Sequence, residues 1–108
     1  MYNVKEVLPA AIVFADLIAR CCKALHLAIT EFPNFKKSST LKQALIAVNT
    51  LEEEGDQIYI DAVRGLYETS PDPLKAIVWS ELFDRFEDCC DACEHAADVV
   101  ESVVMKNS

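Results

Sequence analysis

Helix-breaking and turn-forming residues are scarce in this chain of 108 residues, which contains two glycines and four prolines. A sheet of many strands needs a turn after each strand, and such turns depend heavily on these residues. Turn-forming residues cluster only around 33–40 and 69–73. Both glycines, Gly55 and Gly65, fall instead within an apolar stripe, which predicts close approach of helices there. This spacing excludes a many-stranded fold and favours a few long helices.

Apolar residues recur at steps of three and four along all three stretches between these breaks, as on one face of a helix. The pattern predicts helices over residues 5–32, 40–69 and 72–105. Pro9 is compatible with the first helix only in its first turn, so this helix can begin near Leu8. Asp72 and Pro73 form an N-cap followed by a proline at the first helical position. A fresh start near Ser80 is an alternative within the third helix.

Two short connections between three long helices make sequential helices antiparallel neighbours. We therefore predict an all-α fold, an up-down-up three-helix bundle, with residues 1–108 forming a single domain. Hydrophobic residues make up 52% of the chain, which is too apolar for a disordered protein of this charge. No uncharged stretch approaches the 20 or so residues of a membrane helix, so no direct membrane insertion is expected.

Acidic residues outnumber basic ones by eighteen to ten, giving a net charge of −8. This charge repels phosphate backbones, so nucleic acid is not an expected partner. Residues 51–108 contain fifteen of the acids and only four bases. The excess negative charge is therefore concentrated on the second and third predicted helices.

Five cysteines include two adjacent pairs, Cys21-Cys22 and Cys89-Cys90. Adjacent residues on a helix point about 100° apart, which does not suit a simple disulfide framework. We therefore expect a reducing, cytoplasmic location. Together with Cys93, these residues occupy apolar positions, so they are interpreted as buried packing residues. A soft-metal or redox site that includes Cys90 and Cys93 is the alternative.

A Glu-x-x-x-Asp unit preceded by an apolar residue occurs three times in the acidic half. Its copies are Glu52 with Asp56, Glu87 with Asp91, and Glu94 with Asp98. Residues four apart project from one helix face, so their oxygens can share a cation, and hard cations prefer oxygen ligands. Antiparallel packing of the second and third helices could bring the first pair beside the second. The alternative interpretation of the same residues is a solvated acidic face.

Four segments carry a resemblance to a known family: residues 51–56 (LEEEGD), 72–73 (DP), 86–91 (FEDCCD) and 101–107 (ESVVMKN). With these segments the chain resembles the PhoU-like family, and within it the branch of phosphate transport regulators also called Pit accessory proteins. The resemblance implies three-helix bundles and metal sites on Glu/Asp-x-x-x-Asp motifs, with iron as the expected metal and manganese, zinc or magnesium as alternatives. It also implies a cytoplasmic role in phosphate transport, exerted on a transporter or its regulatory sensor.

The resemblance assigns the role of metal ligand to matching acids in this chain. These residues are Glu52, Asp56, Glu87 and Asp91, with Glu94 and Asp98 as a repeat of the same spacing. Family members usually contain two such bundles in about twice this length, and this chain resembles the C-terminal one. It is therefore expected to be either a fragment or a homodimer that restores the pair.

No enzymatic activity is predicted. A glycine-rich phosphate loop and a Ser/His/Asp arrangement are both missing from the sequence. Ferritin-like oxidation needs Glu-x-x-His motifs in a bundle core, whereas Glu94 and His95 are adjacent and the acids are expected to flank the core. The predicted function is a metal-binding accessory protein of phosphate transport. The alternative is a metal-free helical module that dimerises and docks on a basic partner through its acidic face.

Overall fold

A computed structural model of the protein describes residues 7–69 and 72–108. They form helices α1 (Pro9–Glu31), α2 (Ser39–Thr69) and α3 (Pro73–Lys106), with a short 3-10 turn (Phe32–Asn34) after α1. The three helices pack against one another, and the described residues contain no strand. The prediction of an all-α three-helix bundle is confirmed.

Each helix begins where the sequence provides a specific starting signal. Leu8 has an extended backbone and is followed by Pro9 at the first helical position. α1 therefore begins later than the predicted residue 5, since residues 7 and 8 precede it and residues 5 and 6 lie outside the described ranges. Ser38 caps α2, because its Oγ accepts a hydrogen bond from the backbone N–H of Leu41 at 3.1 Å. Asp72 caps α3 as predicted, accepting a hydrogen bond at 3.0 Å from the backbone N–H two residues later.

Aromatic side chains fill the core between α1 and α3 near the start of both helices. The Phe14 and Phe83 rings are fully buried, with their centroids 6.3 Å apart. Trp79 is also buried, with its ring centroid 6.0 Å from that of Phe83. This packing holds the helical turn around Ser80 in the core. α3 therefore continues through Ser80, and the alternative of a new helix start there is wrong.

Gly55 lies on α2 where all three helices approach closely. A Cβ atom at this position would lie 3.1 Å from Cδ2 of Leu17 on α1 and 3.4 Å from Sγ of Cys90 on α3. The missing side chain therefore allows α2 to pack tightly against both neighbours, as predicted. At Gly65 the same prediction is wrong, because no atom of a neighbouring helix in the described residues lies within 4 Å of the corresponding Cβ position.

The cysteines divide into buried and exposed residues. Cys21, Cys90 and Cys93 are buried, and their desolvation raises the pKa of Cys90 to about 12 and that of Cys93 to about 11. Cys22 and Cys89 are exposed, so the packing interpretation is wrong for these two residues. The cause is the turn of about 100° per residue, which directs only one member of each adjacent pair into the core.

The described helices also bear on membrane insertion. None of them combines the length and the apolar character that a membrane-spanning helix requires.

Candidate metal centre

Three carboxylates from α2 and α3 come together beside the close contact at Gly55. Glu52 and Asp56 lie one turn apart on α2, and Asp91 lies opposite them on α3. One oxygen from each side chain can be chosen so that all three lie within 4.8 Å of one another. The antiparallel packing of α2 and α3 thus brings parts of two predicted Glu-x-x-x-Asp units together, as the sequence suggested.

The three acids form a gradient from the core to the surface. Glu52 is only 9% exposed, Asp56 is half-buried and Asp91 is exposed. The expectation that the acids flank the core is therefore wrong for Glu52. The signal was present in the sequence, because Glu52 follows Val48 by four residues and precedes Gly55 by three, and both of these are buried on the same face of α2.

Glu52 keeps its proton up to a pH well above the range in which a carboxylic acid usually ionises. Burial, a hydrogen bond to Glu94 and the negative charge of Asp56 together raise the pKa of Glu52 to about 8. Glu94 is thereby placed next to Glu52, and it accepts a hydrogen bond from the protonated carboxyl group. At neutral pH the proton on Glu52 therefore reduces the repulsion among these carboxylates.

Glu87 lies beside the three acids, and its charged form is also disfavoured. Burial, followed by the negative charges of Asp56 and Asp91, raises the pKa of Glu87. Its Oε2 atom is buried and has no hydrogen-bond partner within the described residues. A buried carboxylate oxygen without a donor is costly, so this atom is a candidate ligand for a cation.

Asp98 is exposed and does not belong to the group of three. It follows Asp91 by seven residues on α3, which places it about 10 Å farther along the helix axis. The third predicted unit is therefore divided, with Glu94 reaching Glu52 and Asp98 lying away from the group. This division depends on how α2 is aligned with α3, and that alignment cannot be predicted from the spacing of acids on one helix.

Tyr59 is a neighbour of the acids that the sequence analysis did not identify. Its hydroxyl donates a hydrogen bond to the Asp84 carboxylate, and this bond, with burial, raises the pKa of Tyr59 to about 12. Both residues line an open polar depression that also includes Arg85, Glu87 and Asp88. No sequence signal connects residues 25 positions apart, since only the packing of α2 on α3 brings them together.

The donors of this group fit a hard cation. Each donor is a carboxylate oxygen, the ligand type that hard divalent and trivalent ions prefer. Glu87 adds a buried oxygen that accepts no hydrogen bond from the described residues, and Glu52 holds a proton that a cation could replace. Sulfur ligands do not fit in the same way, because the described residues contain no group of three thiols at ligand spacing.

Comparison with known proteins identifies a distant relative. The chain is similar to "UPF0111 protein YkaA" of Bacillus subtilis (strain 168), with 24% identity over 95 residues. The matched region covers 88% of this chain and 46% of the relative, so the chain spans about half the relative's length. No protein-family model and no solved structure matches the chain. The similarity supports a distant PhoU-like relationship.

Proposed function

We propose that the protein binds a hard metal ion between α2 and α3 and acts as a regulatory accessory protein of phosphate transport. The observation that carries the metal-binding part is the group formed by Glu52, Asp56 and Asp91, whose oxygens lie within 4.8 Å of one another. Burial of Glu52 supports a ligand group over a solvated acidic surface. Iron is the first candidate, and manganese, zinc and magnesium are alternatives.

The residues have graded roles in this proposal. Glu52, Asp56 and Asp91 provide the first ligands. Glu87 provides a nearby oxygen that accepts no hydrogen bond from the described residues. Glu94 becomes available when the Glu52 proton to which it is hydrogen-bonded is displaced. A bound cation would neutralise these carboxylates and join α2 to α3. Metal occupancy would thereby change both the rigidity and the charge of this face of the bundle.

The regulatory part of the proposal rests on the PhoU-like resemblance and on the distant similarity to the UPF0111 protein. We propose that the partner is a phosphate transporter or its regulatory sensor on the cytoplasmic side of the membrane. Exposed acids on α3, such as Asp88 and Asp98, offer a negative surface to a basic partner. Metal binding would reduce this negative charge and so tune the contact.

The direct test is metal content. Protein purified without chelator, and protein reloaded with iron or manganese and then desalted, is analysed for bound metal. We expect retention of at least one hard cation per folded chain, removable by chelator. A folded protein that retains none of the cations tried would contradict metal binding. It would favour the metal-free module, whose contact with a basic partner would be unaffected by chelator.

We also propose that the protein forms a homodimer through apolar residues on the outer surface of α1 and α3. Ile12 on α1 is 62% exposed, and Leu82 and Val103 on α3 are also exposed. A second copy would cover these residues and restore the length of the relative, of which this chain spans about half. Sedimentation should show a dimer at tens of micromolar, roughly the range of a weak interface. A monomer at that concentration would contradict the proposal, and Leu82→Lys should weaken a dimer that is observed.

A further inference from the structure

Two pairs of neighbouring free thiols lie between α1 and α3 at the same level of the bundle. The outer thiol pair is Cys22 and Cys93, whose Sγ atoms are 4.0 Å apart. The inner thiol pair is Cys21 and Cys90, whose thiols are close enough to influence each other's pKa. Cys22 is exposed and Cys93 is 7% exposed, whereas Cys21 and Cys90 are 0% and 1% exposed. The two pairs therefore share a location but differ in access from solvent.

We propose that the outer thiol pair is a redox site, in which a hydroperoxide oxidises Cys22 and Cys93 then completes a disulfide between α1 and α3. This site is separate from the carboxylate group and does not depend on metal binding. The proposal rests on the distance between the two Sγ atoms and on the contrast in exposure between the pairs.

The distance favours disulfide formation within one chain. Sulfur atoms 4.0 Å apart are close to van der Waals contact, so no other atom separates them. A disulfide has an S–S distance of about 2.05 Å, so the Sγ atoms must approach by about 2 Å. Side-chain rotation, with a small adjustment of the two packed helices, can supply this movement. The sulfur of Cys93 is therefore placed to reach an oxidised Cys22 before a second chain can.

Exposure explains why the outer pair reacts and the inner pair does not. An oxidant in solution can reach the Sγ of Cys22, whereas the inner thiols are enclosed by the three helices. Peroxide-sensitive cysteines are typically accessible and placed beside a second, resolving cysteine. Packing alone does not account for Cys22, because an exposed thiol contributes little apolar burial.

The chemistry proceeds in two balanced steps. The Cys22 thiol loses its proton, and its sulfur attacks the terminal oxygen of the hydroperoxide, so that an S–O bond forms and the O–O bond breaks. The departing alkoxide or hydroxide takes up the lost proton and leaves as an alcohol or water. Cys93 Sγ then attacks Cys22 Sγ, so that the S–S bond forms, the S–O bond breaks and the departing hydroxide takes the Cys93 proton as water. Two thiols are oxidised to one disulfide, and the peroxide accepts the two electrons.

The test uses the full chain, fully reduced and kept in chelator so that metal-catalysed oxidation is excluded. After treatment with a small molar excess of hydrogen peroxide, we expect the intact mass to fall by two hydrogens. We expect the melting temperature to rise by on the order of 10 °C, because the new bond constrains the unfolded chain. A thiol reductant should reverse both changes.

Peptide mapping and two matched variants identify the residues. Trypsin releases Cys21 and Cys22 in one short peptide, since Arg20 and Lys23 flank them, so fragment ions must assign the link to Cys22. Cys22→Ser should abolish the mass loss and the rise in melting temperature, with little effect on the reduced protein because residue 22 is exposed. Cys89→Ser removes the other exposed thiol and should leave both responses unchanged.

Four outcomes would overturn the proposal. They are a disulfide that persists in Cys22→Ser, a link between two chains, conversion of Cys22 to sulfinic acid without a disulfide, and a parent dithiol that does not react. A disulfide between Cys22 and Cys89 would be a fifth such outcome, because it removes Cys93 from the site, and it would be detected as loss of the response in Cys89→Ser.

Discussion

Replacing Asp56 and Asp91 by asparagine is expected to abolish the thermal stabilisation that the protein gains from added iron or manganese. A ligand that binds only the folded state stabilises it by about 2.7 kcal/mol at a hundredfold excess over Kd. For a chain of this size, that free energy raises the melting temperature by roughly 10–20 °C. Asp56 and Asp91 provide two of the three grouped carboxylates, so their loss leaves too few ligands.

The same double substitution should have the opposite effect on the metal-free protein. Asp56 and Asp91 both lie close enough to Glu87 to raise its pKa through their negative charge. Removing two of these like charges should stabilise the metal-free fold by a few tenths of a kcal/mol, roughly the scale of like-charge pairs on helices. Calorimetric melting of parent and variant, each with chelator and with metal, separates the two effects.

Two control variants test whether the response belongs to this group. Glu53→Gln combined with Glu81→Gln makes the same change in net charge at two exposed positions, and the metal response should persist. Asp98→Asn should also retain it, because the structure places Asp98 outside the group that the sequence motif suggested. A parent protein that responds to no hard cation, or a response lost equally in the controls, would contradict the proposed site.

The helical fold could be predicted from the sequence because its signals are local. Asp72 and Pro73 specify the start of α3, and Pro9 places the start of α1 after Leu8. Scarce glycine and proline then leave room for little besides long helices. The continuation of α3 through residue 80 was harder to predict, because it depends on packing of Trp79 against Phe83 within the folded core.

The candidate site was only partly predictable, since it depends on how α2 is aligned with α3. Spacing on one helix pairs Glu52 with Asp56, but the close packing of α2 on α3 near Gly55 and Cys90 sets the register that brings Asp91 to them. The same register separates Asp98 from the group. The number of charges alone does not predict burial of Glu52, because acidic side chains are rarely found in a core. Only its place on the same helix face as Val48 and Gly55 indicates it.

The free energy of unfolding of the metal-free protein is expected to fall as the pH rises from about 4.5 to about 8. The pKa of Glu52 is about 8 in the folded state and 4.5 without the fold, so the folded protein binds an additional proton between these values. Stability from this proton is fully present below pH 4.5 and is lost as the pH rises through 8. Glu87 acts in the same direction, because its pKa is also raised.

Glu52→Gln should flatten this pH profile and make the metal-free variant more stable than the parent near pH 9. Glutamine keeps a neutral hydrogen-bond donor beside Glu94 but cannot become charged, so the pH-dependent loss from residue 52, on the order of 5 kcal/mol, disappears. Urea unfolding at a series of pH values in chelator measures the slopes, with Glu53→Gln as the exposed control that should match the parent. Equal slopes for Glu52→Gln and the parent would contradict the raised pKa. In the parent, added metal should reverse the trend, because a cation takes the place of the proton and binds more tightly as Glu52 ionises.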